Sequence, residues 1–372
     1  MSNGRKKERK KEREPQFELL RIISMLLIVL LHFLSHGGVN DQLVQGSASY
    51  FIFSILRSFA YLGVNCFILI SGYFLCDKEF KFSRIVKIAM QTLFYSIMGS
   101  AIAILLLHKP LSAKEFLFTI FPISGGKYWF ASVYVLMLII SPIINFALKT
   151  MTKKQHLVLI IILFLFFSLF STILLWSKSV FSDGKDIAWF LTLYVIAAYL
   201  KRYPIHIKRS WLCGLFLCMV LSTVFIEFGI KMIASRIGLG SPEKVMFYNN
   251  QPLILGGSIL LFALISGLKI EHFSNVICKV GNLTFGIYLL HDNDLLRNYL
   301  WEKINAPRYL QNVPAELGYM CTVVLLIFLI GCVVEYLRRL VFVQTHLEYW
   351  ISNLADKKYN KLLQWAEKAN KT

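Results

Sequence analysis

Apolar residues recur along this chain in stretches of roughly 18–22 positions, the length that crosses a ~30 Å hydrocarbon core when wound as α-helix. Ten such runs can be placed, at 17–36, 50–75, 84–107, 128–146, 156–176, 187–200, 211–230, 252–268, 276–291 and 315–336. Two are weak. Run 187–200 is short, and run 276–291 is interrupted by Asn282, Thr284 and Tyr288. Run 156–176 carries no Asp, Glu, Lys or Arg, is almost purely apolar and is expected to face lipid. No internal repeat is visible. The pattern predicts an all-α, polytopic membrane helix bundle of about ten transmembrane helices.

Charge placement tests that count. The chain carries 40 Lys and Arg against 21 Asp and Glu, a net charge of +19, with a mean hydropathy of +0.59. If the N-terminus is cytoplasmic and the runs alternate sides, about 27 cations fall on inner segments and about 11 on outer loops, the bias of the positive-inside rule. Omitting run 187–200 or run 276–291 would place either the Lys201/Arg202/Lys208/Arg209 cluster or the Arg338/Arg339 end outside. Ten crossings with both termini cytoplasmic therefore fit best. The cations punctuate apolar runs rather than forming a phosphate-reading stripe, so no nucleic-acid partner is expected. The seven Cys form no CxxC and sit mostly within apolar runs, as small buried hydrophobes do.

The chain divides into a basic cytoplasmic arm, 1–16, a membrane domain, 17–340, and a polar tail, 341–372. The arm does not read as a cleavable signal peptide. The tail spaces Trp350, Leu354, Leu362, Leu363 and Trp365 in a partly helical pattern, which suits an amphipathic helix on the inner membrane surface or a plain solvated helix.

The first run is the unusual one. It places Arg21 and His32 eleven residues apart within FELLRIISMLLIVLLHFLSH. Eleven helical steps return to within ~20° of the same face, ~16 Å further along. Ionisable side chains inside a bilayer are costly and face a bundle interior or a watery cavity. The other polar residues then sort by depth. Near the inner face lie Arg21, Ser71, Gly72, Tyr73, Arg84 and Lys87, a group suited to holding a polyphosphate. Arg84 and Lys87 also read as ordinary interface anchors. Near the outer face lie His32, His36, Trp129 and His291. His32 is the candidate base and His291 a second catalytic or acceptor-binding group. His36 and Trp129 are candidate acceptor contacts, although Trp129 also suits an interface aromatic. His32 and His36 have the i,i+4 spacing of half a metal site, but carboxylates nearby are few and no metal is expected. Asn65, Gln91 and Asn145 either line the cavity or bond between helices. Glu227 and Lys231 read as a snorkelling ion pair.

Taken in order, these residues resemble the membrane acyltransferase-3 family, the integral-membrane O-acyltransferases of bacterial surface glycans. The family's opening Arg, ten residues, then His is matched by Arg21 and His32. Its Ser-Gly-Phe/Tyr element is matched by Ser71, Gly72 and Tyr73. Its basic RxxR-like element is matched in part by Arg84 and Lys87. A Trp-Phe pair and a later Pro are similar at Trp129, Phe130 and Pro142, and Tyr-x-x-His at Tyr288 and His291. The likeness covers roughly 15–340; an SGNH esterase-like domain that some relatives carry is not seen, so the membrane domain or a separate partner would complete transfer. The resemblance implies a bacterial cytoplasmic-membrane enzyme moving an acyl group, usually acetyl, from acyl-CoA to a sugar hydroxyl of a cell-envelope or exported polysaccharide. Arg21, Ser71, Gly72, Tyr73, Arg84 and Lys87 would serve the donor. His36, Trp129 and Tyr288 would serve the carbohydrate acceptor, with His32, Arg21 and His291 catalytic. Acetyl-CoA is then a substrate and no other cofactor is expected. A hydroxyl attacking a thioester needs a base, which His supplies near pH 7. The competing readings are a transporter or flippase, and a non-catalytic scaffold or sensor.

Overall fold

A computed structural model describes residues 13–173, 183–238 and 246–369. Among them there is no strand. The helices are α1 Pro15–Ser35, α2 Ala48–Leu75, α3 Phe82–Leu105, α4 Ala113–Ile120, α5 Trp129–Thr150, α6 Lys153–Ile173, α7 Ile187–Arg202, α8 Arg209–Arg236, α9 Pro252–Ser266, α10 Ser274–Gly281, α11 Thr284–His291, α12 Arg297–Ile304, α13 Val313–Gln344 and α14 Leu347–Ala369. Seven of these, α1, α2, α3, α5, α6, α8 and α13, are long and apolar enough to cross a membrane. Seven of the ten expected runs are therefore single long helices, except that the end of run 156–176 lies outside the described residues. The other three are shorter or broken. Run 187–200 is the 16-residue α7, run 252–268 the 15-residue α9, and run 276–291 splits into α10 and α11.

Local chemistry accounts for many of the ends. Ser47 caps α2 through the Tyr50 amide, Asp186 caps α7 through Trp189, and capping boxes open α4 (Ser112, Glu115) and α6 (Thr152, Gln155). Pro142 lies inside α5, where it cannot donate to the Leu138 carbonyl. The Ser141 hydroxyl donates to that oxygen instead, at 2.8 Å, and the helix continues. The gap between α10 and α11 frees the Asn282 carbonyl, which accepts from Arg339 of α13.

α1 and α2 form the centre. Their apolar windows are 56% and 67% buried, against 11% for α6 and 22% for α8, which stand at the lipid-facing margin. Close approach of α1 and α2 depends on Gly63, where a Cβ would fall 2.7 Å from the Ser24 carbonyl oxygen. Asn65 donates to the Asn249 carbonyl at 2.8 Å and accepts from the Trp189 indole at 3.0 Å, while Asn145 accepts from Tyr194 at 2.8 Å. Both therefore bond between elements. Glu227 is fully buried and holds Lys231 at 3.1 Å, the Met246 amide at 2.6 Å and, more loosely, Arg57 at 3.9 Å, so it is a buried junction rather than a surface pair.

The chain enters and leaves the bundle at one end. Cys278 of α10 meets the Arg13 carbonyl, and Arg339 near the end of α13 meets Asn282. There α14 lies against the start of α3. Asp356 accepts from the Ser83 amide at 2.8 Å, Glu348 pairs with Lys87 at 3.5 Å, and Tyr359 stacks near Phe82.

Candidate active site

Two cavities are stacked along α1. The outer one, about 270 Å³, is lined by His32, His36, Trp129, Tyr288, Asp292 and Arg297 among others. The inner one, about 220 Å³, is lined by Arg13, Arg21, Ser71, Gln91, Tyr134 and Asn282 among others. Phe67, Phe130 and Phe285 line both, so an aromatic constriction from α2, α5 and α11 separates them. Arg21 opens onto the inner cavity and His32 onto the outer, from a single helix.

In the outer cavity the break in the ninth run does the positioning. α11 begins after that break and ends at His291, and Asp292, the next residue, lies beside His32. His291 Nδ1 lies 2.6 Å from the Ile287 carbonyl oxygen, and His291 Nε2 lies 2.9 Å from His32 Nδ1. A carbonyl can only accept, so His291 Nδ1 carries the hydrogen in the neutral ring and Nε2 offers its lone pair. His32 Nδ1 must then donate, which leaves His32 Nε2 unprotonated and available as a base. Asp292 Oδ1 stands 4.0 Å from His32 Nδ1 and accepts from Arg297 at 3.1 Å. A carboxylate there favours the imidazolium that a base becomes.

A polar net behind the site holds this loop. Asn293 Nδ2 donates to the Tyr128 hydroxyl at 2.6 Å and to the Tyr95 carbonyl at 3.3 Å. Gly99 makes room for it, because a Cβ there would fall 2.1 Å from Asn293 Nδ2. Lys127, its side chain only 1% exposed, reaches the Ser100 and Thr119 hydroxyls and lies 3.6 Å from Asp294. Burial pushes its ammonium below the ordinary lysine value, with Asp294 opposing that shift.

The expected donor group is only partly brought together. Arg21 and Ser71 line the inner cavity. Arg21 pairs with Glu18 at 2.8 Å, and Glu18, 5% exposed, also holds Arg13 at 3.1 Å. Gly72 instead serves packing against α7, since a Cβ would lie 2.9 Å from Ala197 Cβ. Tyr73 stacks in a cluster with Phe17, Phe74 and Phe262. Neither Gly72 nor Tyr73 lines either cavity. Lys87 is engaged by Glu348, and Arg84, like Lys87, lies outside the inner cavity lining. Among the acceptor group, His36, Trp129 and Tyr288 all line the outer cavity.

Four participants were not singled out from the sequence: Asp292, Arg297, Lys185 and Glu18. Asp292 follows His291 directly, and an acidic residue beside a candidate catalytic His was the available signal. Lys185 lies 5.8 Å from the Trp129 ring, and its placement had no such signal. His32, His36 and Asp292 also offer one ligand atom each within 4.8 Å, a spacing that a cation can bridge. Of these groups, His32 Nδ1 also meets His291 and Asp292 Oδ1 also meets Arg297.

The described residues thus form a helix bundle with seven candidate membrane spans and a histidine pair, His32 and His291, at a cavity within it. The chain belongs to the acyltransferase-3 family: residues 14–332 match its acyltransferase domain, Acyl_transf_3. No curated protein and no solved structure matches the chain.

Proposed function

We propose that this membrane acyltransferase moves an acyl group, acetyl in the simplest case, from acyl-CoA to a hydroxyl of a cell-envelope or exported polysaccharide in a bacterial cytoplasmic membrane. The observation that carries this reading is the pair of cavities on α1, with cations in the inner one and the His32–His291–Asp292 group in the outer one. Arg21 and Arg13 suit the phosphates of CoA at the cytoplasmic end. The ~16 Å between Arg21 and His32 is comparable to an extended pantetheine arm. The arm would pass Phe67, Phe130 and Phe285 and present its thioester beside His32. His32 Nε2 then takes the proton of the attacking hydroxyl, and Asp292 favours the resulting imidazolium. His36 and Trp129 at the outer mouth suit a sugar ring. CoA is cytosolic while the acceptor comes from the other side, so one helix serves both.

The test is acetyl transfer from radiolabelled acetyl-CoA to de-O-acetylated polysaccharide in membrane vesicles. His32→Ala should reduce transfer to background with normal membrane insertion. Full activity in that variant would refute the base assignment.

A further inference from the structure

The donors for the oxyanion of this reaction can be sought in the same cavity. Tyr288 is 5% exposed, and its hydroxyl is buried without a hydrogen-bond partner among the described residues. A buried hydroxyl without a partner is unfavourable, and a ligand atom that accepts from it would remove that cost. Tyr288 lines the outer cavity with His32, and its ring lies 5.6 Å from Phe130 and 6.1 Å from Tyr128. The Phe130 amide lies beside that hydroxyl. That amide belongs to the first turn of α5, a 22-residue helix whose N-cap, Tyr128, supplies no side-chain cap. The first-turn amides of Trp129, Phe130 and Ala131 have no partner within the helix, and the helix dipole favours an anion near them. Two independent features, an unpartnered hydroxyl and an uncapped helix start, converge just outward of the Phe67–Phe130–Phe285 constriction. A thioester emerging from the inner cavity would first expose its carbonyl there.

Resting on the acyl-CoA reading above, we propose that Tyr288, with the first-turn amides of α5, forms the oxyanion hole of the reaction. The acceptor hydroxyl gives its proton to His32 Nε2 as its oxygen bonds the thioester carbon. The carbonyl π pair moves to oxygen, where the Tyr288 O–H and an α5 N–H donate to it. On collapse the C–O bond to the acceptor remains, the C–S bond breaks, and the thiolate takes the proton back from His32 and leaves as free CoA. This assignment differs from an acceptor contact, because it makes Tyr288 matter in the transition state and not in ground-state binding.

The experiment uses the full chain in proteoliposomes with acetyl-CoA and de-O-acetylated polysaccharide, and also follows CoA thiol release with water as acceptor. Tyr288→Phe removes an unpartnered hydroxyl, so thermal stability should hold. Loss of one oxyanion donor should lower kcat by ~10²–10³-fold. The fall should appear in transfer and in hydrolysis alike, with the KM for acetyl-CoA and for polysaccharide within threefold of wild type. An unimpaired kcat would overturn the assignment while leaving the acyl-CoA reading intact. So would a rise confined to the polysaccharide KM, which would make Tyr288 an acceptor contact, or a loss explained by unfolding. Wild-type protein inactive toward acyl-CoA would remove the acyl-CoA reading and this inference together.

Discussion

Replacing Asp292 by Asn isolates what its charge contributes. Asp292 Oδ1 lies 4.0 Å from His32 Nδ1 and is 4% exposed. When His32 takes up a proton, attraction at that distance is about 4 kcal/mol at an effective dielectric near 20, and about 1 kcal/mol in bulk water. Arg297, at 3.1 Å from the same oxygen, shares the carboxylate charge and moves the value below the upper figure. A loss of about 1.5–3 kcal/mol in the transition state corresponds to roughly a 10- to 150-fold lower rate. Asn keeps the volume and an oxygen for the Arg297 hydrogen bond, so the fold should survive. The assay is the initial rate of label transfer from radiolabelled acetyl-CoA in membrane vesicles, with a thermal melt in detergent as control. In Asp292→Asn the unpaired guanidinium repels the imidazolium, so adding Arg297→Gln should recover part of the rate. A single variant within twofold of wild type would refute the argument. Failure of the double variant to recover would assign Arg297 a separate role.

Two further outcomes follow from geometry. One residue inserted in α1 between Arg21 and His32 turns them ~100° apart and should abolish transfer while sparing membrane insertion; a normally active insertion variant would sink the shared-face argument. Gly99→Ala should cost about 1–3 kcal/mol of stability and lower activity, because its Cβ would meet the Asn293 side chain that holds the Asp292 loop. Thermal melts and transfer rates measure this, and Asn293→Ala in the same chain should relieve the clash; a Gly99→Ala variant as stable and active as wild type would contradict it.

Most of the helices were legible because lipid leaves the backbone no other option: each run must satisfy its own amides and carbonyls. Where helices are irregular, the partners lie far away in sequence. The gap after Gly281 is tolerated because Arg339, 57 residues on, takes the Asn282 carbonyl. The π turn at Leu165–Phe170 is accompanied by a bond from Asn250 to the Phe167 carbonyl. No local pattern predicts either. The same separation divides the site. Arg21 and His32 could be related by counting, since both sit on one helix. The His32–His291 bond spans 259 positions and needs the fold to be known. Ser71 and Gly72 show the opposite limit: adjacent in one motif, one lines the inner cavity and the other serves packing against α7, because successive helical positions face ~100° apart.

Why a single helix carries both polar residues has a physical answer. A charged group in hydrocarbon is tolerated when protein or water surrounds it, and α1 is among the most enclosed spans. Arg21 and His32 are each met by a different neighbour, Glu18 on the same helix for Arg21 and the α11 end for His32. The tight approach of α1 and α2 at Gly63 fixes the wall between them, and the three phenylalanines narrow the passage. A bilayer-spanning reaction needs a donor and an acceptor to meet without opening a path for ions. A rigid central helix sets the distance between the two ends. In the proposed reaction the aromatic boundary would have to pass a slender acyl-pantetheine chain while resisting hydrated ions, whose water is costly to strip in an apolar neck. In that proposal α1 would set the distance, Phe67, Phe130 and Phe285 would form the seal, and the chemistry would be confined to the one depth at which His32, Tyr288 and an emerging thioester coincide.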